Sequence, residues 1–293
     1  QPRALFRALS LAREDPLSVS VTDPMPLPAV PTPASPAPSF FGMSRDRLRR
    51  HVEGMGVPAF RAEQMYSWVY QKHVRDPLEM TNVPRSFRDS MPTICDFGLP
   101  ETASVHKSPD GKTHKFVLRL ADGARVESVS MRTSKRLTFC ISSQVGCALK
   151  CSFCATGLMG LKRNLHASEV IAQVMTMAEF HGWQDDRFNI VYMGMGEPLA
   201  NMAAVTESIR ILHDHNGLNL GARRLTLSTA GLVPQIRELT KLDLQLGLAI
   251  SLHATTDELR DQLVPVNKRW PIRELLDAAK EYGHSVGRRV TLE

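Results

Sequence analysis

Three of the five cysteines, Cys147, Cys151 and Cys154, stand within eight residues of one another. Thiols this close pair poorly as mutual disulfides, whereas thiolates converging from one loop make a natural metal site. The Cys-x3-Cys-x2-Cys spacing supplies three ligands. These can hold three irons of a cubane 4Fe–4S cluster and leave the fourth iron open to the amine and carboxylate of a small molecule. A structural zinc is the alternative, but zinc calls for four protein ligands in paired short spacings, and the nearest candidate for the fourth is His166. An odd cysteine count with this clustering points to a reducing compartment.

Other chemistry-bearing residues surround the triplet. On the strand expected over 137–142, Leu137, Phe139 and Ile141 share one face, so Cys140 points the other way with Thr138 and Ser142. If the apolar face meets helices, that thiol faces the site, although a lone strand cysteine is usually a small buried hydrophobe. Glu127, on the preceding strand, shares a face with Val129 and Met131, and an edge-strand charge is its bland reading. The run Gly194-Met-Gly-Glu-Pro198 follows a buried strand at its C-terminal end, where α/β folds bind ligands and glycine lets the backbone come close. Taken alone, such a string is most often a plain turn. His253, taken alone, is more often a satisfied core histidine than a functional one.

Positioning these residues requires a scaffold, and the chain alternates strand and helix from Leu137 onward. Strands are expected over 137–142, 189–193, 224–229, 245–252 and 289–293, with helices starting near Ser168, Asn201, Pro234 and Pro271. Ser168 can cap the first helix, and the two prolines sit where a first turn tolerates them. Alternation of this kind specifies parallel βα units, in either an open sheet or a barrel. Ahead of it, 115–120 and 125–131 alternate around Asp122-Gly123 as a hairpin. Residues 44–91 read as helices. Tyr66, Trp68 and Tyr70 lie there among basic residues, as an RNA-stacking surface or, more simply, as an amphipathic core stripe. Four segments follow: a disordered Pro-rich segment over 1–43, a helical accessory domain over 44–100 that is a candidate RNA contact, a hairpin over 101–135, and the core over 136–293.

The 293 residues carry a formal charge of +6, which favours a polyanionic partner, and no apolar run long enough to span a bilayer. Arg3, Arg7 and Arg13 among leucines resemble an organelle transit peptide for chloroplast or mitochondrion, with a plain floppy tail as the alternative.

The run from Cys140 to Gly157, together with Arg163-Asn-Leu, Gly194 to Asn201, Leu227 to Gly231 and Ser251 to Ala254, resembles the RlmN/Cfr family of radical S-adenosylmethionine (SAM) adenine methyltransferases. The likeness extends from about Ser44 to the last residue and is closest to the branch that methylates carbon 2 of an adenine. It implies an α/β fold: a partial (βα)6-type radical SAM barrel, incomplete at its C-terminal end, with a small helical N-terminal domain. The implied cofactors are a 4Fe–4S cluster on Cys147, Cys151 and Cys154, and SAM contacted by Gly196, Glu197, Ser228, Ser251, Leu252 and His253. The implied partners are large-subunit rRNA, tRNA in bacteria, and an electron donor such as flavodoxin or ferredoxin, the protein acting as a monomer away from membranes. The implied chemistry is ping-pong. One SAM methylates a carrier cysteine, a second yields the radical that activates that methyl group, and the carbon radical adds to the electrophilic adenine carbon. Glu127 then removes the ring proton as general base, and Cys140 resolves the adduct as a thiolate by forming a disulfide with the carrier.

The family's carrier is a late cysteine, yet no cysteine follows Cys154, and Cys95 lies in the accessory region. The expectation is therefore a fragment that binds a cluster without completing methyl transfer. The alternatives are a non-catalytic iron–sulfur or RNA-binding protein, and a radical SAM enzyme for a small molecule or a protein glycyl group.

Overall fold

The structure is a computed structural model that describes residues 38–183, 188–242 and 244–293. The transit-peptide reading rests on residues outside these, whereas the expected disordered segment over 1–43 ends too late: Phe40 and Phe41 are fully buried in the core. In chain order the elements are α1 (Arg45–Gly54), α2 (Phe60–Tyr70), α3 (Arg85–Ile94), β1 (Glu101–Lys107), β2 (Thr113–Arg119), β3 (Arg125–Arg132), β4 (Leu137–Cys140), β5 (Gln144–Gly146), α4 (Ala155–Leu158), β6 (Leu161–Asn164), α5 (Ala167–Phe180), β7 (Asn189–Tyr192), α6 (Met202–His213), β8 (Leu225–Thr229), α7 (Val233–Leu239), β9 (Gly247–Ile250), α8 (Asp257–Leu263), α9 (Ile272–Val286) and β10 (Val290–Leu292). Among the described residues no helix is long and apolar enough to cross a membrane.

One sheet runs β1-β2-β3-β4-β7-β8-β9-β10, antiparallel as far as β4 and parallel from β4 onward. The parallel strands follow chain order without reversal, so every right-handed crossover moves the same way and carries its helix to the same face. This is barrel-type winding, and it decides between the two arrangements the alternation left open. A doubly wound sheet would reverse its order at a switch point.

Alternation along the strands separates the two faces. Leu137 and Phe139 of β4 are buried while Thr138 and Cys140 are half-buried, and the Phe139 ring packs on Phe188 at 4.6 Å and on His181 just past α5 at 6.0 Å. The apolar face therefore meets the helices, and Cys140 takes the inner face. In β3, Val126, Ser128 and Ser130 are buried against the helices, while Glu127, Val129 and Met131 are half-buried on the inner side. The Asp122-Gly123 turn forms as expected, with Gly123 at φ 81°.

Some boundaries differ from the sequence reading. β1 escapes it because almost every residue of that strand is exposed, which leaves no alternation to read. The first barrel helix starts at Ala167, not Ser168; the His166 N–H donates to the Glu169 carboxylate at 2.8 Å, and this carboxylate occupies the helix start instead of a serine hydroxyl. Tyr66, Trp68 and Tyr70 are all buried, in a cluster that includes the Tyr66–Tyr70 ring pair at 4.6 Å and the Phe40–Tyr70 pair at 5.5 Å. They are core, so an RNA-stacking role for them is excluded by burial. The helical domain docks on the barrel helices through Ser44 N–H to Glu207 (3.1 Å), Arg45 to Asp214 (3.2 Å) and Arg75 to Glu179.

Candidate active site

The cysteine loop begins where β5 ends. β5 and β6 form a small separate hairpin, and Gly146 sits there at φ 81°, where a Cβ would fall 1.8 Å from the Gly160 carbonyl oxygen. Only glycine fits that position. The next residue, Cys147, donates its N–H to the same carbonyl at 3.1 Å, and Cys154 occupies the position just before α4. Across the loop, the Ser152 N–H donates to the Leu263 carbonyl at the end of α8 (3.0 Å).

All five cysteines are free thiols. Burial pushes the Cys147 thiol up to about 11 and raises Cys151, and the neighbouring cysteines add to both shifts. Three mutually interacting thiols fit a cluster that draws off their protons on binding. Among the described residues no three His, Cys, Asp or Glu side chains are grouped to share a single metal ion. His166 forms no such group with the cysteines.

Strand registers place the remaining residues. Val129, Cys140, Val191, Thr226 and Gly247 form one row across β3, β4, β7, β8 and β9. Glu127 lies two residues beyond Val129, on the same inner face and toward the C-terminal end of β4, which makes it the diagonal neighbour of Cys140 at roughly 7–8 Å between backbones. Its carboxylate pairs with Lys115 Nζ at 2.9 Å, and its carbonyl accepts the Ser142 hydroxyl at 2.6 Å. Burial pushes the Cys140 thiol up to about 11 against the Met193 N–H.

Glu197 is 3% exposed and fully engaged. Its carboxylate accepts the Leu199 N–H (3.1 Å) and the Ala230 N–H (2.9 Å), while Gln144 accepts its own N–H at 2.9 Å. Burial raises its pKa to about 7 despite these donors. Gly194 and Gly196 do provide close approach, and their near neighbours are Ile141 to Gln144: Cβ atoms would fall 2.7 Å from Ser142 Oγ and 2.5 Å from Gln144 Cβ. Ser228 and Ser251 meet at 3.3 Å between hydroxyls on adjacent strand ends. Leu252 and His253 both donate N–H to the Glu293 carbonyl (2.9 Å). His253, exposed at φ 57°, touches the cysteine loop edge-on through Phe153 at 4.7 Å, so it is no core histidine.

Gln173, Asn201 and Arg260 hold this end of the sheet together. Gln173 of α5 accepts from Ser128 Oγ (2.7 Å) and Ser142 N–H (2.8 Å) and donates to the Ser142 carbonyl (3.0 Å). Asn201 donates to the Ser143 and Leu165 carbonyls, both at 2.8 Å. Arg260 of α8 is wholly buried beneath the β8 and β9 loops. A charge at a helix position reads as solvated surface, and only the fold shows otherwise.

A singly wound parallel sheet with a three-cysteine loop following its first parallel strand defines the radical SAM class, and residues 141–292 match the family model of the Radical SAM superfamily. Residues 39–96 match that of the ribosomal RNA large subunit methyltransferase N-terminal domain. The chain is 44% identical over 249 residues to a probable dual-specificity RNA methyltransferase RlmN of Dictyoglomus turgidum, covering 85% of this chain and 71% of that one. It is 45% identical over 285 residues to the protein of the same description from Parafrankia, covering 91% and 73%. A crystal structure of a radical SAM methyltransferase from Sphaerobacter thermophilus superimposes with a TM-score of 0.82 at 43% identity, covering 87% of this chain and 75% of the other. The chain belongs to the RlmN family of radical SAM proteins, whose cofactors are a 4Fe–4S cluster and SAM.

Proposed function

We propose that this protein is an RNA methyltransferase that places a methyl group on carbon 2 of an adenine in large-subunit rRNA and in tRNA. The observation that carries this reading is the placement of Glu127 and Cys140 as diagonal neighbours on the inner face of the sheet, next to the strand that leads into the cysteine loop. That pair and the helical N-terminal domain argue against a radical enzyme acting on a small molecule. RNA as the substrate is supported by the descriptions of the relatives and by the family of the N-terminal domain.

Cys147, Cys151 and Cys154 hold the cluster, and Gly196, Glu197, Ser228, Ser251, Leu252 and His253 border the SAM. When bound, these cofactors supply the radical chemistry that an electrophilic ring carbon requires. The protein's own residues do the rest. Glu127 takes the proton from carbon 2 of the adenine, and the Cys140 sulfur attacks the sulfur of a carrier cysteine that is not among the five of these 293 residues. The S–S bond forms as the bond from sulfur to the transferred carbon breaks, and that carbon takes up a proton. Cys140 must lose a proton as it attacks, because its buried site keeps it a thiol. Cys95 is buried in the helical domain, where desolvation pushes its thiol up to about 12, and it is no candidate for the carrier. The adenine must be unstacked to reach the site, at a cost of a few kcal/mol that a loop target keeps low.

Nucleoside mass spectrometry of rRNA and tRNA from cells with and without the gene tests the reading. Loss of 2-methyladenosine on deletion is expected, restored by the wild-type gene and not by Glu127→Gln or Cys140→Ala alleles. Persistence of 2-methyladenosine in the deletion strain, or loss of 8-methyladenosine instead, overturns it.

A further inference from the structure

Arg260 heads the fully buried side chains in size among the described residues, at 0% exposure. Its guanidinium makes four hydrogen bonds, all to neutral oxygens. Nε donates to the Leu252 carbonyl (2.9 Å), Nη1 to Asn267 Oδ1 (2.8 Å), and Nη2 to the carbonyls of Ala230 (2.5 Å) and Ser251 (3.3 Å). Among the described residues no carboxylate stands at ion-pair distance from it. Asp257 and Asp261 act on it through space only; both are hydrogen-bonded to Asn267 Nδ2 (2.9 and 2.7 Å), not to the guanidinium.

A buried charge without a counter-charge is expensive, by several kcal/mol. Neutral oxygens satisfy the hydrogen-bonding needs of Arg260, while Asp257 and Asp261 reach its charge only across Asn267. Two contacts join its surroundings to the cysteine loop: the Ser152 N–H donates to the Leu263 carbonyl at the end of α8 (3.0 Å), and the Phe153 ring meets His253 at 4.7 Å, next to Leu252, whose carbonyl Arg260 holds.

We propose that Arg260 is a positioning residue whose buried cation is the counter-charge of the cluster held by Cys147, Cys151 and Cys154, and that it raises the reduction potential of that cluster. The inference rests on the cluster assignment made above. Three thiolates make the site anionic, and uptake of one electron adds a further negative charge. A fixed cation in a low-dielectric setting favours the reduced form. The same guanidinium holds the carbonyls of Ala230, Ser251 and Leu252, so the loops expected to border SAM and the charge that tunes the cluster are set by one side chain.

The test is the midpoint potential of the anaerobically reconstituted protein, titrated with dithionite and followed by electron paramagnetic resonance, without SAM. Arg260→Gln is expected to hold a full cluster and to lower its reduction equilibrium at least tenfold, about 59 mV for one electron. Arg260→Lys, which keeps the charge without the planar fork, is expected to stay within about threefold of wild type. An unchanged potential in Arg260→Gln with wild-type iron content overturns the proposal. Where Arg260→Gln fails to fold, Arg260→Lys decides: a folded variant with a near wild-type potential supports the charge, whereas an unfolded variant or a lowered potential overturns it. Failure of the wild-type protein to take up iron and sulfide is a separate result, and it removes the cluster assignment itself.

Discussion

Glu197 and Arg260 hold the two backbone polar groups of one residue: the Glu197 carboxylate accepts the Ala230 N–H at 2.9 Å, and the Arg260 guanidinium donates to the Ala230 carbonyl. Ala230 lies just past β8, so a buried acid after β7 and a buried cation after β9 are joined through the strand between them. Neither side chain is in an ion pair among the described residues. Each is compensated by backbone dipoles, so the conformation of these loops and the protonation of Glu197 are coupled.

Glu197 therefore makes stability depend on pH. Its pKa is raised from 4.5 unfolded to about 7 folded, so the folded state binds the proton more tightly. The associated stability is fully present below about pH 4.5 and is lost as pH rises through 7, for a total of about 3 kcal/mol. Urea unfolding of the metal-free protein between pH 5 and 8 should show a decline that Glu197→Gln removes. Parallel curves for the two proteins would count against this account.

Gly146 is the most constrained glycine of the site. Gly146→Ala must both adopt φ 81° and push a methyl group into the Gly160 carbonyl. The expected loss is about 3 kcal/mol or local opening of the β5–β6 hairpin, seen as faster amide exchange at Cys147. Gly123, also at positive φ but with nothing near its Cβ, should lose only about 1 kcal/mol on the same change.

Cys140 should alkylate slowly. With the thiol pushed up to about 11, only about one part in a thousand is ionised at pH 8, which predicts iodoacetamide labelling about a hundredfold slower than for an exposed cysteine. Peptide-resolved mass spectrometry over time gives the rate, and labelling as fast as free cysteine would show that the thiol is activated in the resting protein.

Arg163 ties the cysteine hairpin to the barrel. It forms a two-pronged pair with Glu169 of α5 (2.8 Å twice) and reaches Asp122 of the β2–β3 turn (2.8 Å), while itself almost fully buried. Removing it leaves the partly buried Glu169 unpaired, so Arg163→Ala should cost about 3 kcal/mol in urea unfolding. Arg237→Ala, which breaks the exposed pair with Glu281, should leave the urea midpoint almost unchanged.

The sequence by itself determined the elements and the cluster loop. Strict alternation marks β2, β3 and β4, and it puts Cys140 and Glu127 on the faces where they are found, because a strand's side-chain period is two whatever it packs against. Three cysteines at this spacing are local, since a single loop holds them. What tertiary structure decided was the winding of the sheet, which no local pattern contains, and the partners of buried polar groups. Tyr66 and Tyr70 left a stacking surface open beside the simpler core stripe, and burial under the packed helices decides for the core. The burial of Arg260 follows only once α8 lies beneath the ends of β8 and β9, and the Leu199 and Ala230 N–H groups reach the Glu197 carboxylate only in the folded chain. Hydrogen-bond partners far apart in the chain leave no periodic trace in sequence, because they meet only after the apolar faces have set the packing.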